Sequence, residues 1–221
     1  MRGDVRGMSR RPLDFYPTPP DVVKAVERWL DGRLFPIGGP WLDPAAGAGA
    51  LLAGVRRFGS PLVAYELDEM RREVLEGCAD EVTVGDALEM EGWHPRANVI
   101  ANPPYNLLEP FVERIVKHCR RDDALGLVLT RLQWLDDGDD RHVRFRPDAV
   151  LRMPWRVSFT GDGRTEATTH AWLVYLPNRA IPRGTVTEWL RRPVVSSDAW
   201  EHHRNLAGSV PQLHMFEELE T

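Results

Sequence analysis

Apolar positions fall into two rhythms along the chain. Spacing of three and four residues marks helices, and short continuous apolar runs mark buried strands. Val22, Val23, Val26, Trp29 and Leu30 form a helical stripe, with Asp21 placed to cap it. Trp41-Leu42-Asp43 predicts a strand, and Leu51, Leu52, Val55 and Phe58 the inward face of the next helix. Leu62–Tyr65 predicts a second strand, running out at Glu66. A helix capped by Asp68 follows, carrying Met70, Val74, Leu75 and Cys78. Val82–Val84 and Ala97–Ala101 are strands. Leu108, Phe111, Val112, Ile115, Val116 and Cys119 share one face of a long helix. Ala124–Thr130 is a strongly apolar strand. Val150-Leu151, Trp155–Phe159 and Thr169–Leu176 predict further strands, and Thr185–Arg192 a terminal helix. Strand and helix alternate through most of this length, which points to an α/β sheet with helices on both faces.

The strand ends are chemically uneven. Asp43 leads into Pro44-Ala45-Ala46-Gly47-Ala48-Gly49, a small-residue turn before a helix. Glycines let a ligand approach the backbone, and helix-start N–H groups face it. The third glycine of the redox dinucleotide fingerprint is missing, which argues against NAD. Asp43 suits a cationic ligand group. About 20 residues on, Glu66 sits where a carboxylate reaches ribose hydroxyls, a role for which Asp68 competes. Asp86 follows the third strand, where a turn residue is equally ordinary.

The fourth strand runs into Asn102-Pro103-Pro104-Tyr105. Two prolines stiffen this loop. The Asn102 side-chain carbonyl and the Pro103 backbone carbonyl together offer two acceptors for one amino group, and Tyr105 offers a flat face for a planar ring. Two acceptors drawing on a conjugated –NH2 favour a pyramidal nitrogen whose lone pair can react.

These residues resemble the amino-methyltransferases that use S-adenosylmethionine, whose Asn-Pro-Pro-Tyr motif acts on exocyclic amino groups of nucleobases or on a glutamine amide. The resemblance spans roughly Phe15–Leu176. It implies a Rossmann-like class I methyltransferase fold: a seven-stranded, mostly parallel sheet with an antiparallel last strand. It implies Asn102, Pro103, Pro104 and Tyr105 as catalytic residues. It implies S-adenosylmethionine held by Tyr16, Pro17, Thr18, Asp43, Pro44, Ala45, Gly47, Gly49, Glu66, Leu67, Asp86 and Ala87. Glu66 falls on the ribose position and Asp86 on the adenine position. Ala45 stands where many members carry an aromatic residue.

The stretch from Arg131 to Gly163 resembles small methyltransferases of bacteriophages and prophages, making DNA the expected partner and adenine N6 the expected target. Alternatives are an RNA or protein-glutamine methyltransferase, or a methyltransferase-like module that binds DNA without reacting. Arginines Arg144, Arg146, Arg152 and Arg156 interleave with Phe145, Trp155 and Phe159, a mix that suits phosphate contact and base stacking but equally a solvated face. Arg131, Trp134, Arg156 and Phe159 are the expected substrate contacts.

Composition bounds the rest. At 221 residues and net charge −5, the chain supports one well-buried domain and argues against tight nucleic-acid binding by its whole surface. The expected division is a loose arm over residues 1–13, a catalytic domain over 14–179 and an appendage over 180–221. No apolar run reaches membrane-spanning length, the two cysteines and seven histidines make no metal motif, and a cytoplasmic location is expected.

Overall fold

The computed structural model describes residues 17–33, 37–136, 140–162, 164–165, 167–177 and 184–208. The N-terminal arm, Tyr16 and Gly163 lie outside the described residues. In chain order the elements are α1 (Pro20–Asp31), β1 (Trp41–Asp43), α2 (Ala50–Val55), β2 (Leu62–Glu66), α3 (Arg72–Glu76), β3 (Glu81–Val84), β4 (Asn98–Ala101), α4 (Leu108–Asp122), β5 (Gly126–Arg131), α5 (Arg141–Arg144), β6 (Ala149–Arg152), β7 (His170–Tyr175), β8 (Val186–Trp189) and α6 (Ser197–Gly208).

These strands form one sheet in the order β3-β2-β1-β4-β5-β7-β6-β8. Strand β7 runs antiparallel to β5 and β6, and every other pairing is parallel. The expected sheet with a reversed strand is therefore present, and β8 extends it by one. The central strands are buried on both faces, which is why they read as continuous apolar runs. Alternate residues feed two cores. Trp41, Leu62, Ala64, Ile100, Leu127 and Trp172 meet the stripes of α1 and α2. Leu42, Val63, Val99, Val128 and Leu173 meet Leu108, Phe111, Val112 and Ile115 of α4. This strict alternation fixes which side of the sheet each strand-end residue faces.

Several local expectations are corrected. Thr185–Arg192 is not a helix: Val186–Trp189 is β8, pairing with β6. Its β-branched and aromatic residues suit a strand, and the outer edge of β6 supplies the ladder partner. Trp155–Phe159 is not a strand, since it pairs with no strand of the sheet. It is an irregular segment whose Trp155, Val157 and Phe159 are buried. Asp21 does not cap α1. Pro19 holds the cap position without a side-chain bond, and the buried Asp21 carboxylate accepts from Arg192 Nε at 3.0 Å. Asp68 does cap, accepting from Met70 N at 3.1 Å, but it caps a 3-10 turn, Glu69–Arg71, ahead of α3. Only Leu75 of its expected apolar stripe is buried on that helix; Met70 and Val74 are exposed, and Cys78 lies just past the helix end.

Candidate active site

The carboxyl edge of β1–β4 opens into a cavity of about 360 Å³. Its lining includes all four strand-end acceptors: Asp43 after β1, Glu66 after β2, Asp86 after β3 and Asn102 after β4. Parallel strands release their ends on one side, so residues scattered over sixty positions converge there.

The turn after β1 is built by short contacts. Ala45 N donates to Asp43 Oδ1 at 3.1 Å, and Ala46 N to the Tyr65 carbonyl at 3.0 Å. Gly47 has φ 56° and donates its N–H to Glu66 Oε2 at 2.7 Å. Gly49 has φ 78°, and a Cβ there would sit 2.2 Å from Cys78 Sγ. Both positions demand glycine, the second also by space. The other Glu66 oxygen accepts from Asp68 N at 3.0 Å. Glu66 thus ties the glycine turn to the end of β2 while facing the cavity.

Asp43 is 1% exposed. Burial, with the neighbouring Glu66 charge adding to it, outweighs the Ala45 hydrogen bond and pushes its carboxyl up to about 8. A carboxyl so placed gains most from a cation brought beside it. Asp86 Oδ1 accepts from Leu88 N at 2.8 Å, making an Asx-type turn. Trp93 Nε1 donates to the Ala87 carbonyl at 2.9 Å, and Arg114 of α4 reaches the Met90 carbonyl. These two residues, invisible to motif reasoning, hold the loop that carries Asp86.

Asn102 Nδ2 donates to Thr18 Oγ1 at 3.2 Å. That bond leaves the side-chain oxygen Oδ1 as the acceptor of this amide. Pro103 is buried, and Pro104 lines the cavity. Tyr105 opens a 3-10 turn, Tyr105–Leu107, that leads into α4, and it is not among the residues lining the cavity.

Of the residues expected around the cofactor, Pro17, Thr18, Asp43, Pro44, Ala45, Gly47, Glu66, Leu67, Asp86 and Ala87 line this one cavity. Gly49 does not; it lines a neighbouring groove between α1, α2 and α6. Tyr16 lies outside the described residues. Sequence reasoning missed Arg71, Asn106, Leu107 and Phe111 in the lining. Phe111 belongs to the core stripe of α4 and also borders the cavity, and nothing in its spacing distinguishes the first helical turn facing a cavity.

None of the expected substrate contacts lines the cavity. Arg131 stacks over Tyr105, its Cζ 4.3 Å from the ring centroid. Trp134 stacks on Phe145 at 5.8 Å and lies under Arg141. Arg156 donates to the Ala167 carbonyl. Phe145, Trp155 and Phe159 are buried, so the interleaved aromatics form core and not an exposed stacking face. Among the described residues no cluster fit to hold a metal ion occurs, and no helix is long and apolar enough to cross a membrane.

No protein-family model matches the chain. Part of it is 35% identical over 98 residues to a probable ribosomal RNA small subunit methyltransferase A of Pyrobaculum aerophilum, covering 42% of each. Another part is 32% identical over 85 residues to the ribosomal RNA small subunit methyltransferase A of Chlamydia caviae, covering 35% of this chain and 31% of that protein. The chain thus spans less than half the length of these curated relatives. Among solved structures it resembles a candidate RNA methyltransferase of Pyrococcus horikoshii, with TM-score 0.57 and 19% identity over 80% of this chain and 92% of that one. It also resembles a dimethyladenosine transferase of Plasmodium falciparum, with TM-score 0.53 and 15% identity over 75% and 64%. The fold is that of the class I methyltransferases.

Proposed function

We propose that this chain is an S-adenosylmethionine-dependent methyltransferase acting on the exocyclic amino nitrogen of adenine in a nucleic acid, with RNA the favoured substrate. One observation carries the proposal. A single cavity joins the buried Asp43, the Glu66 and Asp86 carboxylates and an Asn102 amide bonded to Thr18.

The residues fit the cofactor. Asp43 meets an amino group, since a buried carboxyl raised to about 8 is stabilised in its charged form by a neighbouring ammonium. Glu66 meets the ribose hydroxyls, and Asp86 an adenine amino group, with Leu67 and Ala87 as apolar lining. When bound, the cofactor supplies an electrophilic methyl on a sulfonium. Asn102 and Pro103 then accept from the target amino group and hold it in place. Tyr105 presents its ring to the base. Most of the acceleration comes from positioning two bound reactants and not from a group of shifted pKa.

The choice of RNA departs from the DNA substrate expected from the motifs. It rests on the curated relatives, which are named as ribosomal RNA methyltransferases. DNA is the second reading, favoured by the resemblance of the stretch from Arg131 to Gly163 to small methyltransferases of bacteriophages and prophages. In either polymer a paired target base must leave its helix, because its amino group is otherwise engaged.

The test is transfer of a labelled methyl from S-adenosylmethionine to unmodified ribosomal RNA and to unmodified DNA in parallel, followed by nucleoside digestion. N6-methylated adenosine from the RNA is expected. Label in deoxyadenosine alone would select the second reading, and label in neither, or only in protein, would reject the proposal.

A further inference from the structure

Tyr105 is held from two sides by one cross-strand pair. Its hydroxyl lies 3.0 Å from His170 Nε2, within hydrogen-bond distance. Its ring lies under the Arg131 guanidinium at 4.3 Å. Arg131 ends β5, His170 begins β7, and the two are register partners across the antiparallel join of the sheet. His170 is 1% exposed, and Phe159 packs edge-on against it at 5.2 Å. Phe159 is in turn fixed by a hydrogen bond of 3.0 Å between its carbonyl and His203 Nε2 of α6.

We propose that Arg131 and His170 are positioning residues that set the plane and tilt of the Tyr105 ring against the target base. The inference deepens the functional reading above and rests on it. A buried histidine needs a polar partner, and many find one in a backbone carbonyl. This one takes the phenol of the single aromatic side chain in the Asn102–Tyr105 loop. Its strand partner contacts the same ring independently. An aromatic ring on a loop otherwise rotates about two side-chain torsions. Here the hydroxyl contact removes tilt and the stacked guanidinium removes swing. Both contacts come from register partners in the β5–β7 ladder. None of the three side chains lines the cofactor cavity, so the arrangement acts on the base side alone.

The prediction separates chemistry from cofactor binding. His170→Leu is expected to lower kcat on the nucleic acid by about three- to tenfold, the worth of one hydrogen bond, with S-adenosylmethionine affinity changed less than about twofold. His170→Gln, which restores a hydrogen-bonding atom at the side-chain end, is expected to recover most of the loss. Tyr105→Phe removes the same bond from the other side. The His170→Leu, Tyr105→Phe double variant is therefore expected to lose no more hydroxyl-dependent rate than Tyr105→Phe alone. Arg131→Lys, which keeps the charge and loses the planar stack, is expected to raise KM for nucleic acid.

Carbon-13 labelling at the tyrosine Cζ gives a readout independent of turnover. The Tyr105 resonance, assigned from Tyr105→Phe, is expected to shift in His170→Leu and return toward its place in His170→Gln. An unmoved resonance overturns the inference, as do fully additive losses in the double variant of an active enzyme. Wild-type protein silent on both RNA and DNA would instead overturn the functional reading, and with it the role given to this pair.

Discussion

Thr18 Oγ1 accepts the Asn102 amide at 3.2 Å, joining the segment before α1 to the loop after β4 across 84 positions of sequence. This hydrogen bond couples the segment that lines the cavity before α1 to the acceptor proposed to hold the target amino group. Thr18→Val keeps the shape and removes the hydroxyl. It is expected to reduce turnover by about three- to tenfold, with Thr18→Ser restoring it. Asn102→Ala removes the acceptor itself. It is expected to lower kcat by roughly a thousandfold while cofactor affinity stays within about threefold. Parallel rate assays and calorimetric titration check both. A large loss of cofactor binding in Asn102→Ala would mean that the amide serves the cofactor and not the base.

Asp43 gives a pH signature of known sign. Its carboxyl is raised in the folded state to about 8, against 3.8 in an ordinary environment, because burial disfavours its charge. Between those values the native protein holds a proton that the unfolded chain has lost. Stability therefore falls as pH rises from about 4 to about 8, by up to about 1.4 kcal/mol per pH unit. Asp43→Asn is expected to flatten this slope in thermal unfolding measured from pH 5 to pH 8. An ammonium beside Asp43 favours its ionised form. Binding of S-adenosylmethionine at pH 6.5 is therefore expected to release close to one proton in wild type and none in Asp43→Asn. Titration calorimetry in buffers of different ionisation enthalpy measures that number.

Gly49 is constrained twice, by its φ of 78° and by Cys78 Sγ, 2.2 Å from where a Cβ would sit. Gly49→Ala is expected to destabilise by about 2–4 kcal/mol, combining left-handed backbone strain with overpacking. Cys78→Ala added to it removes the clash and leaves the backbone part, so the double variant should recover about half in chemical denaturation. No recovery would mean that backbone strain alone sets the cost.

Glu188 of β8 accepts from Arg33 through both carboxylate oxygens, at 3.1 and 2.8 Å, and from Trp29 Nε1 at 3.1 Å. These contacts pin the last strand to the end of α1. Glu188→Ala is expected to cost about 1–2 kcal/mol, held down because both charged side chains stay partly exposed. We expect hydrogen exchange in β8 to accelerate more than in β1 or β4. Uniform acceleration would mean that β8 opens only with the whole sheet.

The amino-acid sequence by itself determined the alternation of strand and helix, the strand-end positions of Asp43, Glu66, Asp86 and Asn102, and the glycine turn at Gly47 and Gly49. Each of these is local. Apolar spacing reports which faces are buried, and a residue just after a buried run lies at a strand end. Only the tertiary structure decided the rest. The segment around Val186 became a strand because β6 had an edge to give it. Phe159 became core and not a stacking surface because α6 and His170 close over it. The raised Asp43 carboxyl, the Thr18–Asn102 bond and the hold of Arg131 and His170 on Tyr105 all depend on which groups meet across tens of residues. Periodicity encodes that a side chain faces inward. Desolvation and hydrogen bonding depend on what it finds there.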